Sequence, residues 1–267
     1  MSRQSGGTGA APRAFLVLLG AVLSAAAPLD VLRALGAHER PLGVTATPGV
    51  CPHSGSAFSI APNARLSAPT RQILNGPLHS GFALSVLLRL DPGSSVPLLW
   101  VQDGAVGRHF GVRLGPTWLS LSYGVSDDDD DGAGRPTAQH RLHFSNVRIA
   151  DGRWHSLVLA LRGSALSLHL DCRPMGSRPI ATPNLLLLLF GRPHPKGVIG
   201  IGKPQGGGFR GAVQELLLWS DPRAAMGRCS VSRQRCAPER PQSDMAAGAA
   251  RGGGARPEGR QRRSGRH

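Results

Sequence analysis

A chain of 267 residues can hold one large β-sandwich or two small domains. Only 4% of the residues are aromatic, so a core must be built from Leu, Val and Ala, which argues against a second domain. The formal charge is +15, and +9 of it lies between residues 27 and 236. Most of the cations are arginines, whose planar fork binds sulfate, phosphate and carboxylate groups, so a polyanionic partner is expected.

The first 27 residues have the three parts of a secretory signal peptide. Arg3 and Arg13 lie in the charged region, residues 15–23 are apolar, and residues 24–27 are small. A membrane anchor would need about 20 apolar residues, and this run is shorter. We therefore expect export, and no later segment is a better candidate for a membrane span.

Four cysteines follow the signal, at positions that favour disulfides over a metal site. They are Cys51, Cys172, Cys229 and Cys236. In an oxidising compartment they predict two disulfide bonds. A zinc site usually presents close pairs of ligands, and only the last two cysteines are near each other in sequence. The spacing itself leaves all three pairings open.

Apolar periodicity predicts a short helix followed by many strands. Residues 29–36 have apolar positions at helical spacing, with Asp30 as the N-cap and Gly36 at the end. Strand signals then follow at the spacing of an all-β sandwich. The predicted strands are 57–60, 82–90, 97–102, 109–114, 118–123, 141–149, 156–161, 165–172, 185–191, 198–202 and 209–219.

Three details of this pattern are specific. Strand 82–90 is apolar on both faces, which predicts a central strand covered on each side. Strands 156–161 and 165–172 form a hairpin with a tight turn at residues 162–164. Residues 220–225 begin a helix, with Ser220 or Asp221 as cap and Pro222 in the first turn.

Residues 126–139 interrupt the strands with an acidic loop. It contains the consecutive residues Asp127, Asp128, Asp129, Asp130 and Asp131. Adjacent carboxylates repel and have nothing to bury, so the segment is predicted as a solvated loop. The alternative is a calcium site, because hard cations take several oxygens from one flexible loop. The run lacks the spaced ligands of a formed calcium cage, and no other cofactor is expected.

Several short motifs together resemble a known family. The hairpin opens with Asp-Gly-Arg-Trp-His at residues 151–155 and closes with Asp-Cys at 171–172, which resembles laminin-G-like sandwiches of the thrombospondin N-terminal-like kind. The segments at 28–35, 49–52, 66–72, 209–216 and 220–225 are similar to the amino-propeptide domain of type V and XI fibrillar collagens. The resemblance covers residues 28–236 and implies a laminin-G-like, concanavalin-like jelly-roll β-sandwich with short flanking helices.

Residues 237–267 do not continue the resemblance. They are rich in Ala, Gly, Arg and Pro, without apolar periodicity, and are predicted to be disordered. Glycine does not recur at every third position, as it would in a collagen rod.

The resemblance implies a heparan-sulfate site and a disulfide pattern. In the family, basic residues follow the cysteine that ends the hairpin, and here Arg173 and Arg178 match them where the family often has a lysine run. The pairing that the family implies is Cys51 with Cys236 and Cys172 with Cys229. The other basic residues that we group with this site are Arg162, Arg192, Lys196, Arg228, Arg233 and Arg235.

The sequence gives no indication of an enzyme. It contains no nucleophile elbow, zinc-protease helix, P-loop or dinucleotide fingerprint. Sandwich glycosidases need two closely placed carboxylates on strands, whereas Asp171 and Glu215 stand alone in the predicted strands. His155 follows Trp154 at the hairpin entry and is interpreted as structural.

Two functions of different classes remain open. The chain is either the non-collagenous amino-terminal domain of a type V/XI-like collagen, with other collagen chains and matrix proteins as partners, or a free secreted glycosaminoglycan-binding module. A Gly-x-y reading frame after His267 would support the first. The basic residues also have an alternative interpretation, in which the arginines are scattered over the surface and only keep the protein soluble. Nucleic acid is disfavoured because the chain is predicted to be exported and lacks an aromatic and basic platform.

The disulfide pairing is directly testable. The two bonds close long loops and should each stabilise the fold by roughly 4 to 5 kcal/mol in the chain-entropy model. Peptide mapping under non-reducing conditions is expected to join Cys51 to Cys236 and Cys172 to Cys229. A peptide that joins Cys229 to Cys236 would contradict the pairing.

Overall fold

The structure is a computed structural model that describes residues 27–50, 56–74, 81–103, 107–126, 136–191, 195–203 and 208–227. Strands and helices are numbered in chain order within these ranges. The strands are β1 (Leu29–Asp30), β2 (Val44–Pro48), β3 (Ser56–Ile60), β4 (Leu66–Pro69), β5 (Gly81–Leu90), β6 (Val96–Gln102), β7 (Arg108–Leu114), β8 (Trp118–Ser126), β9 (Pro136–Ser145), β10 (Trp154–Arg162), β11 (Ala165–Leu170), β12 (Arg173–Pro179), β13 (Val198–Ile201) and β14 (Gly211–Trp219). The helices are α1 (Val31–Ala34), α2 (Thr70–Ile73), α3 (Pro183–Gly191) and α4, residues 222–227.

The strands form two antiparallel sheets that pack face to face. The eight-stranded sheet has the order β12-β11-β10-β5-β14-β3-β2, with β1 also beside β14. The six-stranded sheet has the order β4-β13-β6-β7-β8-β9. Apolar residues of both sheets form one main core between them. The fold class predicted from the sequence, an all-β sandwich of antiparallel sheets with short flanking helices, is confirmed.

Strand β5 lies in the middle of the larger sheet, as its apolar pattern predicted. Its Leu84, Val86 and Leu88 point into the main core. On the other face, Ala83 packs in a second, smaller apolar cluster with Trp219 and α4. The indole Nε1 of Trp219 also donates a hydrogen bond of 2.8 Å to Ser85 on that face. The inner face of β5 is therefore buried, and its outer face is covered at Ala83 and only partly buried at Leu87 and Arg89.

The two short terminal helices begin as the sequence indicated. The carboxylate of Asp30 accepts a hydrogen bond of 3.1 Å from the backbone N–H of Arg33, and Gly36 follows α1 with a φ of 72°. At α4 the carboxylate of Asp221 accepts from the N–H of Arg223 at 2.9 Å. None of the helices in the described ranges is long and apolar enough to cross a membrane.

The prediction of a strand at residues 185–191 is wrong, because this segment is helix α3. A short apolar run is compatible with either structure by periodicity alone. Leucine has a higher helix propensity than the β-branched residues. Pro183 is also suited to the first turn of a helix. The helix places Phe190 in the core, where its ring centroid lies 4.6 Å from that of Phe82 and 5.1 Å from that of Phe110.

Several strand boundaries also differ from the predicted ones, including those of β10, which begins at Trp154, and β14, which begins at Gly211. Strand β9 starts at Pro136 and ends at Ser145, whereas 141–149 was predicted, because Asn146 has a φ of 62° and breaks the strand. Strand β8 continues to Ser126, so β8 and β9 occupy part of the segment predicted as loop. Strand β11 stops at Leu170, and residues 173–179, which were not predicted as a strand, form β12.

The burial of Phe190 predicts that α3 contributes strongly to stability. The Phe190→Ala variant removes a ring that is 2% exposed and should lower the free energy of unfolding by about 3–5 kcal/mol. Urea unfolding measures this change. Leu42→Ala is the control, because Leu42 is 84% exposed and its truncation should cost less than about 0.5 kcal/mol. Equal effects of the two variants would contradict the placement of α3.

Candidate functional site

A tight turn at Asp171 and Cys172 connects β11 to β12 and sets the position of the candidate site. Leu170 pairs with Arg173 across it, and the two turn residues have φ values of 50° and 68°. Two successive positive φ values are the pattern of a type I′ hairpin turn. The carboxylate of Asp171 accepts from the N–H of Ser156 at 3.0 Å, and Cys172 is disulfide-bonded. The hydrogen bond to Ser156 therefore ties the turn that begins β12 to strand β10.

Both arginines predicted to bind heparan sulfate lie on β12, which is an edge of the larger sheet. Arg173 pairs with Leu170 and Arg178 pairs with Leu166, and both leucines face the core. Side chains five residues apart on a regular strand point to opposite faces. Between Arg173 and Arg178, however, the pairing of β12 with β11 contains a bulge, in which Met175 has no partner residue on β11. This extra residue shifts the alternation by one position, so both arginines lie on the same face.

The two arginines remain exposed although they lie on the core-facing side, because no strand covers this edge among the described residues. The guanidinium carbon of Arg178 lies 5.4 Å from the ring centroid of Phe144 on β9. This cation–π contact orients the Arg178 side chain at the open side of the sandwich. The pair forms what we call the β12 edge site, Arg173 and Arg178, whose Cα atoms are roughly 15 Å apart along the strand.

Two of the other predicted basic residues, Arg162 and Lys196, lie in the described ranges, and only Arg162 is close to the β12 edge site. Arg162 is exposed at the end of β10, and its partner Ala165 pairs in turn with Pro179, so it lies near the Arg178 end of β12. Lys196 precedes β13, which lies next to β4 at the far edge of the other sheet, and it does not join the site. The remaining predicted members lie outside the described residues: Arg192, Arg228, Arg233 and Arg235.

Other predicted site residues also fall outside the described ranges. They are Cys51, Cys229, Cys236 and the acidic run Asp127, Asp128, Asp129, Asp130 and Asp131. The disulfide pairing and the calcium alternative therefore stay predictions. Within the described ranges, no group of three or more His, Cys, Asp and Glu side chains is arranged to hold a metal ion.

Beside the Arg173 end of β12, His155 bridges two carboxylates. Its Nδ1 lies 2.8 Å from Asp171 Oδ2, and its Nε2 lies 2.9 Å from Asp151 Oδ1. Both ring nitrogens can donate when the imidazole is protonated, so the charged form suits this geometry. The bridge ties the loop before β10 to the turn before β12. This agrees with the structural role predicted for His155.

The bridge changes the pKa values of all three groups. The hydrogen bond to Asp171 raises the pKa of His155, although partial burial opposes this and the bond to Asp151 adds to it. The pKa of Asp151 is lowered mainly by its hydrogen bond from His155. Burial works to raise the pKa of Asp171, but hydrogen bonds from His155 and the Ser156 N–H outweigh it and the pKa is lowered. The protonated form of His155 thus offsets part of the negative charge near Arg173.

Sequence reasoning missed two further cationic places. A polar hollow of about 270 Å³ on the outer face of the larger sheet is lined by Arg89, Arg210, Ser59 and Asp91, and the Arg89 guanidinium lies 5.3 Å from the ring centroid of Trp154. A second hollow lies on the outer face of the smaller sheet. The signal for both was present, since a basic residue stands at an outward position of each of these apolar strands, Arg89 on β5 and Arg113 on β7.

Comparisons with known proteins give a distant similarity. No protein-family profile matches the chain. Protein NEL of Gallus gallus is 26% identical over 219 residues, which is 78% of this chain and 24% of that protein. The chain therefore spans about a quarter of the length of this relative.

Solved structures with a related shape include botulinum neurotoxin domains. One comes from work on the cell entry of botulinum neurotoxin type C, which is dependent upon interaction with two ganglioside molecules. It has a TM-score of 0.45 and 8% identity, and the match covers 70% of this chain and 45% of that chain. The binding domain of botulinum neurotoxin DC in complex with rat synaptotagmin II has a TM-score of 0.39, 8% identity, and coverage of 66% and 39%. At these TM-scores the likeness carries no functional information.

The bridge at His155 predicts how stability depends on pH. Because its pKa is raised above the unfolded value of about 6.5, its stabilising contribution is complete below that pH and is lost as pH rises through the folded-state pKa. Urea unfolding of the parent and of His155→Gln should therefore show a larger difference at pH 6 than at pH 9. A constant difference would contradict the charged bridge.

His169→Gln is the control with the opposite sign. Burial lowers the pKa of His169, so its contribution is complete above about pH 6.5 and is lost as pH falls through the lowered pKa. The free energy of unfolding of the variant, measured relative to that of the parent, should therefore increase as the pH is lowered.

Proposed function

We propose that this chain is a secreted matrix domain that binds sulfated polysaccharide, such as heparan sulfate or heparin, through the β12 edge site. The observation that supports this most directly is the placement of Arg173 and Arg178 on one face of an exposed edge strand. Their distance apart suits an extended chain of anionic groups better than a single anion. The expected activity is binding, and we propose no enzymatic reaction.

The electrostatics of the domain favour the same partner. The charge of +9 between residues 27 and 236 attracts a polyanion at long range. Arginine then binds sulfate and carboxylate through paired N–H groups, and the fixed strand keeps both arginines in place. The cation–π contact to Phe144 reduces the freedom that Arg178 would lose on binding.

The biological setting that we propose is the extracellular matrix. The signal-like first 27 residues and the motifs resembling type V and XI collagens support an amino-terminal propeptide domain that contributes to fibril assembly and surface interactions. The alternative is a free secreted glycosaminoglycan-binding module. Both settings use the same site.

The β12 edge site is tested by heparin affinity with a charge-matched control. The double variant Arg173→Ala and Arg178→Ala should bind heparin about tenfold more weakly than the parent at 0.15 M salt, because two charge-assisted contacts are lost. The control is Arg65→Ala with Arg71→Ala, which removes two exposed arginines beside β4, at the far edge of the other sheet.

The measurement is the salt concentration of elution from heparin, made on the full chain. Since both double variants have the same net charge, the arginine-rich residues 237–267 contribute equally to each. The β12 variant is expected to elute first. Elution of both variants at the same salt concentration would overturn the site, and thermal unfolding checks that both remain folded.

A further inference from the structure

The hollow on the outer face of the six-stranded sheet is formed where β7 lacks a side chain. Gly111 lies between its partners Trp100 on β6 and Ser122 on β8. A Cβ at this glycine would come within 3.1 Å of the Ser122 hydroxyl, a group that can rotate away. The glycine therefore leaves an open space of about 220 Å³ above the strand. We call this space the Trp100 hollow.

Two buried polar atoms of residues that line the hollow lack hydrogen-bond partners within the described part of the chain. Trp100 is 9% exposed, and its Nε1 is buried without a partner among the described residues. The same holds for Nε2 of His109, which also lines the hollow. Buried polar groups are nearly always hydrogen-bonded, and an unpaired one costs stability, so each requires an explanation. A ligand with acceptor oxygens would supply the missing partner of the indole N–H once the side chains above it move apart, because this nitrogen has almost no accessible surface in the unbound chain.

The charge of the lining favours an anionic ligand. Arg113 and Lys203 both line the hollow and are exposed. Gln102 and Ser122 add neutral hydrogen-bonding groups. Among the described residues that line it, none is acidic. Asp103 follows the lining residue Gln102 in the sequence, but its side chain is 2% exposed and forms an ion pair with Arg108. Its negative charge is therefore already compensated.

The size and the apolar part of the lining narrow the ligand further. Pro97 and Trp100 provide apolar surface that a bare sulfate or phosphate would leave unused. Pockets for drug-sized molecules have volumes of about 300–1,000 Å³, so a hollow of about 220 Å³ suits a single ring. The ligand chemistry that matches all these features is one sugar ring that carries a carboxylate.

We propose that the Trp100 hollow binds a single uronic acid unit. The carboxylate faces Arg113 and Lys203, and a ring or carboxylate oxygen accepts a hydrogen bond from Trp100 Nε1. The site shares no residue with the β12 edge site and lies on the other sheet. It therefore stands whether or not the β12 edge binds heparin.

Indole N–H resonances provide a direct test, because the chain has only four tryptophans. In ¹H–¹⁵N spectra of the full chain, the Trp100 indole signal is identified by its loss in Trp100→Phe, with Trp118→Phe as the control for assignment. Sodium glucuronate should shift the Trp100 signal and leave that of Trp118 in place. Glucose, which lacks the charge, should shift it at least about tenfold less at the same concentration.

Charge variants test the same site without altering the indole. Arg113→Gln with Lys203→Gln should weaken glucuronate binding about tenfold or more. Arg148→Gln, a change at an exposed arginine outside the hollow, should leave it unchanged. An unshifted Trp100 signal at saturating glucuronate would overturn the proposal, and so would acetate acting as strongly as glucuronate, because the ring would then have no role.

Discussion

The central position of β5, which is buried on its inner face and covered at Ala83 on its outer face, is the constraint on which the rest of this sandwich depends. Its inner face needs the six-stranded sheet and α3 as cover, and its outer face needs α4 and Trp219. β5 also has a hydrogen-bonded neighbour along each of its two edges. β10 and β14 take these places, and the sheet then grows outward until β12 and β2 form its edges. The exposed edge that carries Arg173 and Arg178 is thus a consequence of where β5 lies.

Strands with clear apolar alternation could be predicted from the sequence, and segments without it could not. β5, β6, β7 and β14 were placed almost to the residue, because one or both of their faces are buried. β12 contains Pro174, Gly176 and Pro179, residues that are uncommon in strands, and it becomes one by pairing with β11. The leucine run of α3 fits both structures, and only the space beside Phe82 and Phe110 decides between them.

The candidate site illustrates a second limit of sequence reasoning. Arg173 and Arg178 were identified as basic residues, but their spacing of five would place them on opposite faces of a regular strand. The extra residue at Met175 restores one face, and a bulge of this kind depends on how two strands settle against each other. The turn at Asp171 and Cys172 has a similar origin, since its positive φ values are held by contacts that the local sequence does not contain.

When most residues of a protein suit their local structure, a residue that does not suit it marks a position where function is expected. Gly200 and Gly111 both interrupt strands of the smaller sheet, but for different reasons. A Cβ at Gly200 would come within 2.7 Å of the Leu66 carbonyl oxygen and 2.9 Å of the Trp100 ring, so the fold itself requires glycine there. At Gly111 the one close atom is the rotatable Ser122 hydroxyl, so packing alone would accept a larger residue. A glycine that weakens a strand without relieving a fixed clash leaves open space as its main physical effect. At this position the space is lined by Trp100, whose indole N–H has no partner among the described residues.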